Sequence, residues 1–285
     1  MKVRFWGVRG SIPVPGPSTV RYGGNTACVE IRAGDQLLIC DSGTGIRECG
    51  QRLMAEAKGK PVQGDIFIGH THWDHIQGFP FFLPAYIPHN SFRIHSVKAV
   101  GADFEFIFRG QMGQNYFPVE INDMAAHLEF IHASGDIQAG AVKVRTIFTN
   151  HPGVNIAFRF DFNGSSVVYM TDHENHEAFC GLTDLSRRQD RAIEEFCAGA
   201  DLLICDSQYT EEEYKYKRGW GHNRWSDALA LALTAKAKRL ALFHHDPTRS
   251  DANIDDIVAE CRKRIEKGSH PMECFAAREG QDVET

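Results

Sequence analysis

Short apolar runs rich in β-branched and aromatic residues punctuate the whole chain, and most are too short to be helices. VRFWGV from Val3, ACVEIRA from Ala27, QLLIC from Gln36, DIFIG from Asp65, FRIHSV from Phe92 and AVKVRTIF from Ala141 read as strands. NIAFRFDF and SSVVYM are separated only by Asn163 and Gly164, residues that tolerate the positive φ of a two-residue hairpin turn. DLLICD from Asp201 and RLALFHH from Arg239 complete the set. Helical spacing lies between the strands. It is seen at Ile46, Cys49, Leu53 and Met54 after the turn DSGTG, and at Ile193, Phe196 and Cys197. Trp225, Ala228, Leu229, Ala232 and Leu233 repeat it, as do Ile254, Ile257, Val258, Cys261 and Ile265 behind an N-cap at Ser250 or Asp251. This loose alternation, with no linker or break in composition, predicts one α/β domain over residues 1–285, built of two sheets covered by helices. The stretch 101–140 is the least regular, and its segment 111–118 reads as a loop or lid beside the functional rim.

Composition narrows the function classes. With 42% hydrophobic and 24% charged residues, the 285-residue chain can bury a full core and is not disordered. Its 31 Lys and Arg against 37 Asp and Glu leave a net charge of −6. No global positive field exists to hold long nucleic acid, so a phosphate substrate must be held locally. No apolar run reaches the roughly 18 residues of a bilayer span, and Pro80, Pro84 and Pro88 interrupt the most apolar stretch, so no membrane partner is expected. The opening MKVRFWGVRGSIP lacks a signal-peptide pattern, and the eight cysteines contain no Cys-x-x-Cys pair. A cytoplasmic protein with reduced thiols is the expectation.

The histidines carry the chemistry. In GHTHWDHIQG, His70, His72, Asp74 and His75 follow the apolar strand DIFI directly. A strand end leading into a helix start lets His70 and His72 project toward one metal while Asp74 and His75 face a second. Three later strands also end in ligand types: His151 after AVKVRTIF, Asp172 after SSVVYM, and His244 with His245 after RLALF. A carboxylate can give one oxygen to each of two ions, so Asp172 is the candidate bridge. The spacing therefore assigns His70, His72 and His151 to one ion and Asp74, His75 and His244 to the other. Neighbours on a strand point to opposite faces, so only one of His244 and His245 faces the rim. Imidazole and carboxylate ligands favour two Zn2+ ions, with Mn2+ and Fe2+ as competitors.

HTHWDH, His151, Asp172 and His244, in this order, resemble the metallo-β-lactamase-fold hydrolases over essentially the whole chain. The resemblance implies a four-layer αβ/βα sandwich with two metals at the edge between the sheets, and the family order points to His244 rather than His245. True β-lactamases of this fold carry Cys where Asp172 stands, and flavodiiron oxygen reductases carry Glu in place of His72. GWGHNRWSDALALA places His222 just ahead of a helix and is similar to the histidine motif of the phosphodiesterase branch, in which that histidine acts at the scissile phosphate. The tRNA-processing members of that branch insert a long arm between the third histidine and the bridging aspartate. Here His151 and Asp172 are only 21 positions apart, and the hairpin fills that space.

The resulting expectation is a dinuclear metal-dependent phosphodiesterase acting on a small cyclic phosphodiester such as a nucleoside 3′,5′-cyclic monophosphate. Asp74 would hold a metal and orient the attacking water, and His222 would protonate the leaving oxygen. A glyoxalase-type thioester hydrolase and a tRNA 3′-processing endonuclease are the alternatives, and a homodimer is compatible with the sequence. Lys215, Lys217, Arg218 and Arg224 around His222 read equally as a solvated charge run or as a phosphate-contacting rim.

Overall fold

Side chains of single strands alternate between two different cores. In the run Leu37–Cys40, Leu37 and Ile39 join one apolar cluster while Leu38 and Cys40 join another. A strand apolar on both faces has to be covered on both faces, which forces a layered architecture. The computed structural model of the protein describes residues 1–97, 103–133, 135–268 and 270–285.

The first sheet contains β1 (Lys2–Gly7), β2 (Cys28–Ala33), β3 (Gln36–Cys40), β4 (Gln63–Phe67), β5 (Ser91–Ser96) and β6 (His127–His132). The second contains β7 (Ile137–Ala139), β8 (Val142–Phe148), β9 (Ile156–Phe162), β10 (Ser165–Met170), β11 (Leu202–Asp206), β12 (Arg239–Phe243) and β13 (Glu273–Ala276). The C-terminal β14 (Asp282–Glu284) returns to the first sheet beside β1, giving the orders β14-β1-β2-β3-β4-β5-β6 and β13-β12-β11-β10-β9-β8-β7. From β3 to β6 and from β10 to β13 the pairing is parallel, and in the other half of each sheet it is antiparallel.

Parallel strands need crossovers, and helices supply most of them. They are α1 (Ile46–Ala57), α2 (Trp73–Ile76), α3 (Phe104–Gly110), α4 (His176–Cys180), α5 (Asp184–Cys197), α6 (Glu211–Lys217), α7 (Trp225–Thr234) and α8 (Asp251–Glu266). Phe5, Leu38 and Phe67 of the first sheet meet Phe158, Phe160, Tyr169 and Phe243 of the second in the central core. The outer face of the first sheet packs under α1 and α3 through Ile46, Leu53, Phe104 and Phe108. That of the second packs under α5, α7 and α8 through Ile193, Leu229 and Val258. The four-layer αβ/βα sandwich is thus the observed fold.

The main differences from the sequence reading have local causes. Four strands, β6, β7, β13 and β14, escape it because β6 alternates weakly and the other three have only three or four residues. The stretch read as irregular contains α3, capped by the Asp103 side chain, together with β6 and β7, while Gly101 and Ala102 lie outside the described residues. Among the described residues no helix is long and apolar enough to cross a membrane, and all eight cysteines are free thiols.

Candidate metal centre

Loops at the ends of four strands deliver the chemistry-bearing side chains to one edge of the sandwich. His70 follows β4, His72 sits in extended backbone at the start of α2, and α2 carries Asp74 and His75. From the second sheet come His151 after β8, Asp172 after β10 and His244 after β12. His70, His72, His151 and Asp172 place ligand atoms within 4.8 Å of one another, and Asp74, His75 and His244 do the same. Asp172 faces both groups. Its Oδ2 lies 3.6 Å from His70 Nε2 and 3.7 Å from His151 Nε2, while its Oδ1 lies 3.2 Å from Nε2 of both His75 and His244. Asp74 Oδ2 closes the second group at 3.2 Å from His75 Nε2 and 3.1 Å from His244 Nε2.

Backbone geometry at the strand ends aims these side chains. Asp172 and His244 have φ of 54° and 60°, and Asp41, just past β3, has 58°. This left-handed region is costly for any residue with a Cβ. Close packing also dictates two glycines: a Cβ on Gly10 would sit 2.4 Å from the His244 ring, and one on Gly221 would sit 2.3 Å from His151 Nδ1.

Oxygen acceptors fix the ring tautomers. His75 Nδ1–H donates to Asp41 Oδ2 at 2.7 Å, His244 Nδ1–H to Gln208 Oε1 at 2.8 Å and His151 Nδ1–H to the Gly221 carbonyl at 3.0 Å. Each bond leaves Nε2 as the ring nitrogen that faces inward, the disposition of a metal-ligating histidine. His70 Nδ1, His70 Nε2 and His75 Nε2 are buried with no hydrogen-bond partner. Buried polar atoms normally have partners, so a cation between these nitrogens and the carboxylates of Asp74 and Asp172 fits the donor set. His245 is turned away: its Nε2–H donates to the Ala277 carbonyl at 3.0 Å.

The electrostatics agree with a cation-shaped gap. Burial alone would raise Asp74 and Asp172, but the surrounding imidazoles outweigh it and hold both carboxyls well below their usual range. Burial opposes charge on His75 and His244 as well, yet neighbouring carboxylates win, raising His75 well above its ordinary value and His244 to about 9. Protons therefore gather on the nitrogens around Asp74 and Asp172. Burial dominates at His70, His72 and His151 and lowers all three.

His222 stands three residues before α7, farther from it than the sequence suggested. Its Nδ1–H donates to Asp206 Oδ2 at 2.7 Å, and its ring stacks on His244 at 5.1 Å. Asp206 ends β11, is completely buried, and also accepts the Asp172 N–H at 3.1 Å. With Nδ1 occupied, Nε2 is left for a cavity of about 430 Å³ lined by Ser11, Thr71, His72, Trp73, Asp74, Asp172 and His222. Residues 111–118 line no part of it. Met112 and Phe117 pack instead into the outer layer of the first sheet, so this segment is not a lid over its own chain's site. The cations near His222 are already engaged: Lys217 with Asp246 at 2.9 Å, Arg224 with Asp227 at 2.6 Å, Lys215 with Glu212 at 2.6 Å, and Arg218 with the Phe179 carbonyl. These internal partners are what a solvated charge run would have.

Sequence reasoning missed Asp41, Asp206 and Ser11. The Ser11 N–H donates to Asp74 Oδ2 at 2.7 Å, and nothing in the sequence announced it. The two aspartates had a signal, since each directly follows an apolar LLIC run.

The profile of the Beta-lactamase superfamily domain matches residues 37–245, well over half of the chain. Ribonuclease Z of Haloarcula marismortui is 23% identical over 92% of this chain and 91% of its own length. Among solved structures, the metallo-β-lactamase fold protein YhfI from Bacillus subtilis superposes with a TM-score of 0.69 at 19% identity, covering 99% of both chains. A diphosphatase from the PhnP family does so with 0.67 at 17% identity, covering 100% of this chain and 97% of its own.

Proposed function

Because the chain belongs to the β-lactamase superfamily, we propose that it is a metal-dependent phosphodiesterase with two divalent ions, acting on a small cyclic phosphodiester of the nucleoside 3′,5′-cyclic monophosphate kind. The observation that carries this reading is Asp172, whose two oxygens each face a different group of inward-pointing ligand atoms. His70, His72 and His151 would hold one ion, Asp74, His75 and His244 the other, and Asp172 would bridge them. Two ions held there would supply Lewis acidity for the phosphoryl oxygens and acidify a water near neutral pH.

The chain's own groups do the rest. The Ser11 N–H fixes the Asp74 carboxylate, which orients the attacking water. Asp206 holds the His222 ring so that Nε2 can pass a proton to the departing ribose oxygen. Zinc fits the nitrogen-rich ligand set best, with manganese and iron as competitors.

Three features support a small substrate. β9 and β10 are joined directly at Asn163 and Gly164, which leaves no arm for a bound RNA. The cations near the site are paired internally. The net charge is −6. A second reading, tRNA 3′-end processing, is favoured by the Haloarcula marismortui relative named ribonuclease Z. The deciding experiment is a panel assay of metal-loaded protein on cyclic nucleotides, precursor tRNA and S-lactoylglutathione. Hydrolysis of cyclic nucleotides supports the first reading and 3′ cleavage of precursor tRNA without it the second. Thioester hydrolysis alone refutes both.

A further inference from the structure

Trp73 stands between two of the residues that surround the centre, His72 and Asp74, yet its indole is 78% exposed. The rest of α2 is buried: Asp74, His75 and Ile76 all point inward, which leaves position 73 facing out. Among the described residues Trp73 joins none of the three apolar clusters. Two of the other three tryptophans are buried, and the third, Trp220, is exposed but lines no part of the cavity beside His222. Trp6 is buried and donates to Glu30 Oε2 at 2.9 Å, and Trp225 is buried beneath Arg264. Trp73 instead lines the same cavity as Ser11, Asp172 and His222. Its position on the wall of that cavity, beside the metal-ligand cluster, leaves a large planar apolar face open to a flat group that occupies the cavity.

We propose that Trp73 is the platform of a nucleobase-binding subsite, on which the base attached to the scissile phosphodiester stacks. The inference rests on the phosphodiesterase reading and deepens it by specifying which part of the substrate lies outside the metal centre. A nucleobase fits because every base offers a π-face whose stacking on an aromatic side chain tolerates sequence. Among the described residues no cation stacks on the indole and no hydrogen bond engages it. The base can come from a free nucleotide or from the end of an RNA.

Binding, measured apart from turnover, tests the subsite. Metal-loaded protein in a Trp220→Phe background, which removes the other strongly exposed indole, is titrated with adenosine 5′-monophosphate and with ribose 5-phosphate, following tryptophan fluorescence and heat. The nucleotide should quench Trp73. Trp73→Ala should weaken its binding about 5- to 150-fold, the range spanned by stacking one base, while Trp73→Phe keeps most of the affinity. Ribose 5-phosphate should change less than about twofold, and metal content should be unchanged in Trp73→Phe. An equal loss for adenosine 5′-monophosphate and ribose 5-phosphate would mean that Trp73 acts by supporting its neighbours, and binding of both the nucleotide and precursor tRNA left unchanged in Trp73→Ala would remove the subsite; either overturns the proposal. A parallel arm with precursor tRNA separates the sources. If only RNA binding depends on Trp73, the base is that of an RNA end; if neither ligand depends on it, the proposal fails even where the hydrolysis assays succeed.

Discussion

The pairing of His222 with Asp206 yields a quantitative test of the proton-transfer role. His222→Ala removes a cavity-lining imidazole whose Nδ1 is engaged by Asp206, so Nε2 is its only functional end. A single acid-base group is worth about 10²–10⁴-fold in turnover, and that is the expected loss on a cyclic nucleotide. Asp206→Asn should cost less. Asp206 Oδ2 accepts from both His222 Nδ1–H and the Asp172 N–H, and Oδ1 accepts from the Gln208 N–H at 3.0 Å. Wherever the amide NH2 points, one of those donors loses its acceptor, which costs on the order of 1–3 kcal/mol of stability. If Asp206 acts on catalysis only through His222, its replacement in the His222→Ala background should cause no further loss of turnover. The assay is steady-state hydrolysis of a cyclic nucleotide by the single and double variants, with metal content measured on the same samples. The leaving group adds a control: an aryl phosphodiester expels a weakly basic phenolate and should suffer less from His222→Ala than the ribose alkoxide. Additive losses in the double variant would refute the dyad. They would place the effect of Asp206 at Asp172 or at His244, whose Nδ1 lies 3.7 Å from Asp206 Oδ2.

Asp172→Ala should lower bound metal from two ions per chain to one or none, read by elemental analysis after dialysis; retention of both would remove the bridge. Metal-free protein at pH 7 should release protons on binding Zn2+, because His244 titrates at about 9 and His75 is raised as well, so both must shed protons to ligate. Apparent affinity should rise with pH up to that range, and a binding enthalpy independent of buffer ionisation at pH 7 would contradict it. Native alkylation should label Cys180 rapidly and the other seven thiols only after unfolding, since Cys180 alone is exposed and burial raises thiols such as Cys197, pushed up to about 12; mass spectrometry of the labelled peptides decides it.

The layered fold was legible because the central strands are apolar on both faces, as in QLLIC, DLLIC and SSVVYM, a pattern that suits only a sandwiched sheet. Edge strands carry a weaker signal: Asp282–Glu284 has one buried residue and is defined by pairing with β1 at the opposite end of the chain. Residues with metal-ligating side chains could be picked out because they come soon after runs of strand-forming residues. The same rule extends to Asp41 and Asp206, which end two such runs and hold His75 and His222. Ser11 was beyond reach, since its contribution is a backbone N–H placed by a turn with φ of 66°. The cationic run from Lys215 to Arg224 could not be resolved from sequence because its partners, Asp246 among them, are distant along the chain.

The left-handed backbone at Asp41, Asp172 and His244 joins stability to function. Glycine would remove the strain at each position, but it would also remove the side chain that faces or supports the centre. Each such residue costs of order 1–3 kcal/mol unless its surroundings hold it in place. Those surroundings are visible: Tyr169 Oη–H and His75 both bond Asp41 Oδ2, Thr171 Oγ1–H donates to Asp172 Oδ1 at 2.7 Å, and Gly10 presses on the His244 ring. The strand ends are therefore locked from several sides before any ion arrives, so the ligand atoms need little rearrangement to receive one. The three strained positions lie within two residues of the ends of β3, β10 and β12, where parallel pairing with the neighbouring strands holds the backbone that leads into them. Only a rigid scaffold can keep both oxygens of Asp172 within 3.2–3.7 Å of nitrogens carried by elements of the two different sheets.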